Sequence, residues 1–175
     1  MKITSFSRLY IHILKDTYNA ERQLLKALPQ MADASASAKL KKAFNEHLEE
    51  TEQQVERLER LFKSLEFEPT GHPCKAMQGL IEEAKEIIDD GSIPSEVKDA
   101  GLIAAAHKIE HYEVASYGMA LYFSRLFDHK EGEQLLSETL DEEHEAVKTL
   151  NKLARSHANK KAIKGEEFLR GASSP

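Results

Sequence analysis

The sequence contains no tryptophan, one cysteine and five prolines in 175 residues, and each scarcity closes off a class of protein. The lone thiol, Cys74, can form no internal disulfide and has no CxxC partner, so a reducing compartment and a cytoplasmic location are expected. No apolar run approaches the roughly 18 residues of a membrane span, and the opening MKITSFSRLY lacks the long apolar core of a secretory leader. No membrane partner is therefore expected. Positive charge is also in short supply: 24 basic residues stand against 30 acidic ones, for a net charge of -6, and they are scattered rather than striped. A phosphate-binding surface needs the reverse, so no nucleic-acid partner is expected. Glycine-rich phosphate loops, Ser-His-Asp patterns and zinc-type Cys/His clusters are missing as well.

What remains is helix-forming sequence almost throughout. The prolines and the eight glycines fall mostly between segments rich in Ala, Leu, Glu, Lys and Gln, which lose least on becoming helical. The periodicity predicts an all-α chain with a first helix over about 5–28, where Pro29 marks a kink or an end, and a second over about 37–65. After the breaker FEPTGHPCK come a shorter helix over about 74–90, a long one over about 95–127 and a last long one over about 133–158. Four long amphipathic helices with short first and last links, and a short helix in the middle crossover, describe an up-down four-helix bundle. One bundle domain is expected over 1–160 and a mobile tail over 161–175. The core list is Leu14, Tyr18, Leu25, Leu28, Leu40, Phe44, Leu58, Leu61, Ile103, Tyr117, Leu121, Leu135 and Leu153.

Every long helix carries a glutamate inside its apolar seam. Glu21 interrupts Leu14, Tyr18, Leu25 and Leu28, and Glu50 falls among Phe44, His47, Gln54, Leu58 and Leu61. Glu110 and Glu113 stand between Ile103 and Tyr117, and Glu142 stands between Thr139 and Leu153, with Glu145 three residues on. A faint repeat supports the pattern: a shift of 92 places carries Glu50 onto Glu142, Val55 onto Val147, Leu58 onto Leu150 and Glu21 onto Glu113. One glutamate beside a seam is ordinarily an edge residue with its head in water. Four converging at mid-bundle would repel one another and lose hydration, at several kcal/mol each unless protons or cations compensate. No lysine or arginine stands in these stripes opposite them, so a pair of divalent ions, iron or manganese, is the expected compensation.

The stretches LKDTYNAERQL, HLEETEQQVERL, AAAHKIEHYEVASYG and TLDEEHEA, with GLIEEAKEII between the second and third, resemble the bacterial YciE/YciF family of ferritin-like proteins over about residues 5 to 157. The resemblance implies a ferritin-like or rubrerythrin-like bundle, often dimeric, associated with bacterial stress response and of poorly defined activity. Carried over residue by residue, the ferritin-like metal motif assigns Glu21 and Glu110 the lone-carboxylate positions and Glu113 an additional one. Glu50 and Glu142 take the Glu-x-x-His positions, but Gln53 and Glu145 stand where that motif has histidine. Gln53 or Gln54 could then offer an amide oxygen and Glu145 or Glu143 a carboxylate, for an oxygen-dominated site. Nitrogen could instead come from His47 or His107, each three residues before a seam glutamate, although both are read as hydrogen-bonded polar side chains rather than ligands.

Two functions follow. One is a di-iron or di-manganese carboxylate protein that oxidises bound iron or reacts with oxygen or peroxide in a stress setting. The other is a non-enzymatic dimeric bundle with a vestigial or empty site. A homodimer is expected in either case, through spare apolar surface on the helix over 74–90. Tyr18, Tyr112, Tyr117 and Tyr122 are core residues that could place a phenol near the carboxylates, and Cys74 is read as an inert thiol.

Overall fold

A computed structural model describes residues 2–155 and 159–163. These residues form α1 (Phe6–Ala34), α2 (Ala38–Ser64), α3 (Lys75–Asp89), α4 (Ser95–Leu126), α5 (Lys130–Leu153) and the short α6 (Asn159–Ala162), with no strand among them. The four long helices close a ring: α1 packs on α2 and α4, and α5 packs on the same two. The crossover helix α3 lies against α1 and α4 on the outside of the bundle.

Local chemistry fixes the ends of these elements. The Ser5 hydroxyl accepts the Arg8 amide at 3.2 Å and caps α1. The link between α1 and α2 is held from a distance, because the buried Asp99 carboxylate on α4 accepts the amides of Ala36 and Ser37 at 2.8 and 2.9 Å. At the turn from α4 to α5, Asp128 adopts a left-handed φ of 52°. Gly132 packs there so closely that a Cβ would stand 2.6 Å from Ser124 Oγ and from His129 Nδ1.

The interior consists of two apolar halves. One contains Leu24, Leu28, Met31, Leu40, Phe44, Leu102, Ile109 and Leu150, extended by Met77, Ile81 and Ala84 of α3. The other contains Leu14, Tyr18, Leu58, Leu61, Phe62, Tyr117, Leu121 and Leu135. Of the core list, all are buried except Leu25 and Leu153, which are half-buried. Polar residues, described below, lie between the halves.

Three expectations need revising. Pro29 does not end α1, which continues to Ala34; burial of Met31 and Ala32 holds the final turns although the proline removes one backbone donor. The fourth long helix, α5, begins at Lys130, earlier than the periodicity indicates, and the end expected near 158 lies outside the described residues. The apolar face of α3 is not spare, because Met77, Ile81 and Ala84 are spent on α1 and α4. The large apolar side chains left exposed include Phe6, Met119, Tyr122, Leu126 and Phe127, where α1 begins and α4 ends. Most of the tail expected over 161–175 lies outside the described residues, of which Asn159–Ala162 form one helical turn beside α4.

Candidate metal centre

Six side chains from all four long helices meet between the two apolar halves: Glu21 of α1, His47 and Gln54 of α2, Glu110 and Glu113 of α4, and Glu143 of α5. Each is buried, and Glu21, Gln54, Glu113 and Glu143 are wholly so. His47, Glu110, Glu113 and Glu143 can each direct a ligand atom such that all four lie within 4.8 Å of one another.

Helix geometry explains why these residues point inward. At 3.6 residues per turn, positions 47, 51, 54 and 58 form one line along α2, and 135, 139, 143 and 150 form one line along α5. Thr51 and Thr139, both buried, keep that line narrow enough for the larger polar groups beside them. On α4, the three-residue spacing of Glu110 and Glu113 stacks them on the face turned to α1 and α5.

Few of these groups are satisfied by the protein. The Tyr117 hydroxyl donates to Glu21 Oε1 at 2.5 Å, and Gln54 Nε2 donates to Glu143 Oε1 at 2.7 Å. His47 Nδ1 is 3.2 Å from Glu50 Oε2, which leaves Nε2 facing Glu110 Oε1 at 3.4 Å, long for a hydrogen bond. Glu21 Oε2, His47 Nε2, Gln54 Oε1, Glu110 Oε2, both oxygens of Glu113 and Glu143 Oε2 are buried with no hydrogen-bond partner among the described residues. Buried polar atoms are ordinarily paired, so seven orphans around one centre require a cause.

Their proton affinities record the same crowding. Burial, only partly offset by Tyr117 and His47, pushes the Glu21 carboxyl up to about 7. Burial and the neighbouring carboxylates push Glu113 and Glu143 well above the usual range, and hold the Tyr117 phenol protonated as a donor. Burial alone would pull the His47 imidazole down, but Glu110, Glu50, Glu143 and Glu21 outweigh it and push it up to about 10.

The other residues singled out in the sequence lie at its margin. Glu142 lies on the flank of α5, where Gln54 Nε2 donates to its Oε2 at 3.2 Å and Arg57 pairs with it bidentately, Nη1 to Oε2 and Nη2 to Oε1 both at 2.6 Å. An arginine therefore does stand opposite a seam glutamate, contrary to the expectation from the stripes, because its long stem reaches across from the flank of α2. Glu50 is half-exposed beside His47, Gln53 is exposed and bonded to the Glu49 carbonyl, and Glu145 is exposed beside Lys148. His107 is half-exposed against the ring of His111 and takes no part. Of the tyrosines, Tyr117 alone bonds the cluster; Tyr18 donates to Glu59, Tyr112 to Asp16, and Tyr122 is exposed. Cys74 is buried, and burial pushes its thiol up.

Comparison with known proteins gives one consistent picture. A family model described as a domain of unknown function, DUF892, matches residues 5–163. Protein YciF of Escherichia coli K12 is 44% identical over 163 residues, spanning 93% of this chain and 98% of its own. The crystal structure of the E. coli stress protein YciF superposes with a TM-score of 0.86 at 43% identity, covering 90% of this chain and 99% of that one. A Xanthomonas campestris protein superposes with a TM-score of 0.73 at 18% identity, over 91% of this chain and 98% of that one, which shows a shared fold alone.

Proposed function

This chain belongs to the DUF892 family, and we propose that its function is to hold two divalent metal ions, iron or manganese, at the buried centre between the apolar halves of its bundle. The observation that carries this reading is the convergence of unpartnered ligand atoms on one buried point. The donor set fits such ions: four carboxylates, one imidazole and one amide oxygen make an oxygen-dominated site of the kind hard and borderline cations favour. Glu21, His47, Glu110, Glu113 and Glu143 would hold the ions, with Gln54 Oε1 available beside them. Ions bound there would supply one-electron redox chemistry toward a small oxidant such as oxygen or peroxide.

The chain's own residues prepare that chemistry. The Glu50 carboxylate orients His47 by bonding Nδ1, which commits Nε2 to the centre. Tyr117 fixes Glu21 by one oxygen and leaves the other free. The apolar halves on either side exclude bulk water along the bundle axis. A role in stress response is part of the proposal and draws on the relative described as an E. coli stress protein. A homodimer is proposed too, through the exposed aromatic strip of Phe6, Tyr122 and Phe127.

One observation favours the competing reading of a vestigial centre: Arg57 neutralises Glu142 without any metal. Metal analysis separates the two. Protein reconstituted with ferrous or manganous ion should retain about two ions per chain, and Glu113→Ala should lose them. Retention of no ion by the wild-type chain at neutral pH would overturn the metal reading in favour of the structural one.

A further inference from the structure

The buried centre has an opening. Between α2 and α5 lies a cleft with about 90 Å³ of water-accessible space, walled by the small side chains of Ala43 and Ala146 and floored by His47 and Glu110. Roughly 10–15 Å³ of such space holds a water, so the cleft has room for a partly hydrated ion. Its rim carries three carboxylates, Glu46, Glu50 and Glu145. Two of them are paired with exposed lysines, Glu46 with Lys42 at 3.2 Å and Glu145 with Lys148. Such pairs are weak and yield readily to a competing cation. Among the described residues Glu50 pairs with neither lysine nor arginine; it connects rim to floor through His47 Nδ1.

The floor indicates what the cleft is for. His47 is 6% exposed and Glu110 3% exposed, and His47 Nε2 and Glu110 Oε2 are among the buried atoms with no hydrogen-bond partner. A cleft that begins with carboxylates and ends on a carboxylate oxygen and an imidazole nitrogen, which ligates once its proton leaves, favours cations over anions. The same seam is shut two turns further along α2, where Arg57 bridges to Glu138 and Glu142. The open stretch is therefore a local property of Ala43 and Ala146 and not of the α2–α5 packing in general.

We infer that this cleft is the entry route for divalent cations, and that Glu50 passes them from solvent to His47 and Glu110. The inference rests on the metal-binding reading of the centre proposed above. Because Glu50 is half-exposed, rotation about its own side-chain bonds can carry its carboxylate between water and the floor with no movement of the main chain.

Stopped-flow uptake of Co²⁺, followed by its visible absorption, tests the route apart from the centre. Ala43→Leu and Ala146→Leu would fill the cleft from half-buried positions, so the core is not overpacked, and thermal melting verifies the fold. Both should reach the wild-type stoichiometry and final spectrum while the uptake rate falls by about tenfold or more. Glu50→Gln should slow uptake several-fold and weaken its dependence on salt. Rates within about twofold of wild type in both leucine variants would overturn the route while leaving the centre intact. Absence of Co²⁺ binding by the wild-type protein would overturn the reading of the centre, and the route with it.

Discussion

Replacing Glu21 by glutamine should stabilise the metal-free protein at pH 8 and leave it unchanged at pH 4. Glu21 is wholly buried, and its carboxyl is pushed from the ordinary 4.5 up to about 7 by burial and by Glu110 and Glu142. Below pH 4.5 the group is protonated in both folded and unfolded chains and has no effect on stability. As pH rises from 4.5 to about 7, the unfolded chain releases this proton while the folded chain retains it, so folding is progressively disfavoured; above about 7 the penalty is constant. At ~1.4 kcal/mol per pKa unit, the full penalty is on the order of 3 kcal/mol. Neighbouring acids share it, so a gain of about 1–3 kcal/mol is expected for Glu21→Gln at pH 8, equivalent to roughly 3–10 °C in melting temperature for a chain of this size. Glutamine keeps the acceptor for the Tyr117 hydroxyl, so the hydrogen bond at that position survives. Differential scanning calorimetry with chelator at pH 4 and pH 8 measures both arms. Equal destabilisation at the two pH values would refute the reasoning, since it would mean that a charged Glu21 is satisfied where it stands.

Other perturbations have outcomes as definite. Arg57→Leu strands the Glu142 carboxylate, which is only a quarter exposed, and should lower stability by about 1–3 kcal/mol in urea unfolding; the double variant with Glu142→Leu should recover most of it. Gly132→Ala forces a methyl into Ser124 and His129 at the α4–α5 turn, and should cost about 1–3 kcal/mol despite alanine's better helix propensity, as read by the urea midpoint. Cys74 is fully buried with its thiol pushed up, so native protein at pH 8 should react with an alkylating reagent at least about a hundredfold more slowly than urea-unfolded protein; mass spectrometry that finds equal rates would contradict the packing of the loop before α3.

Much of this arrangement is legible in the sequence, and the parts that are not share a geometric cause. Glu21 can be recognised because it interrupts a stripe whose leucines and tyrosine fix the phase, and Glu110 and Glu113 because they stand between Ile103 and Tyr117 in a helix that is apolar around most of its circumference. On α2 and α5 acidic residues stand side by side, Glu49 with Glu50 and Asp141 with Glu142 and Glu143, and the choice among them is easily misjudged by one residue. A residue three places from His47 is turned by about 60° from it and one four places away by about 40°, so Thr51 faces in and Glu50 lies on the flank. The same rotation turns Glu143 inward and Glu142 outward. A usable signal existed in the small buried threonines, Thr51 and Thr139, which mark the inner line where a glutamate draws the eye to its neighbour. The internal repeat survives in this form: Glu50 and Glu142, related by 92 places, are both outer carboxylates, each bonded to a base of α2. The reach of Arg57 could not be read from spacing, because a side chain of that length is not confined to the face on which its Cα lies.

The crossover helix has one further effect, on how the molecule opens. Because α3 covers the outer side of α4, that helix is enclosed by α1, α5 and α3 together, and its buried residues include Leu102, Ile103, Ala105, Ala106 and Ile109. Segments enclosed in this way exchange their amide hydrogens only through large-scale unfolding, whereas helices with one face in water also exchange through local opening. Glu110 and Glu113 of α4, and Glu21 of α1, which α3 also covers, should therefore sit in slower-exchanging segments than His47 and Glu143 of α2 and α5, as hydrogen exchange read by mass spectrometry would check.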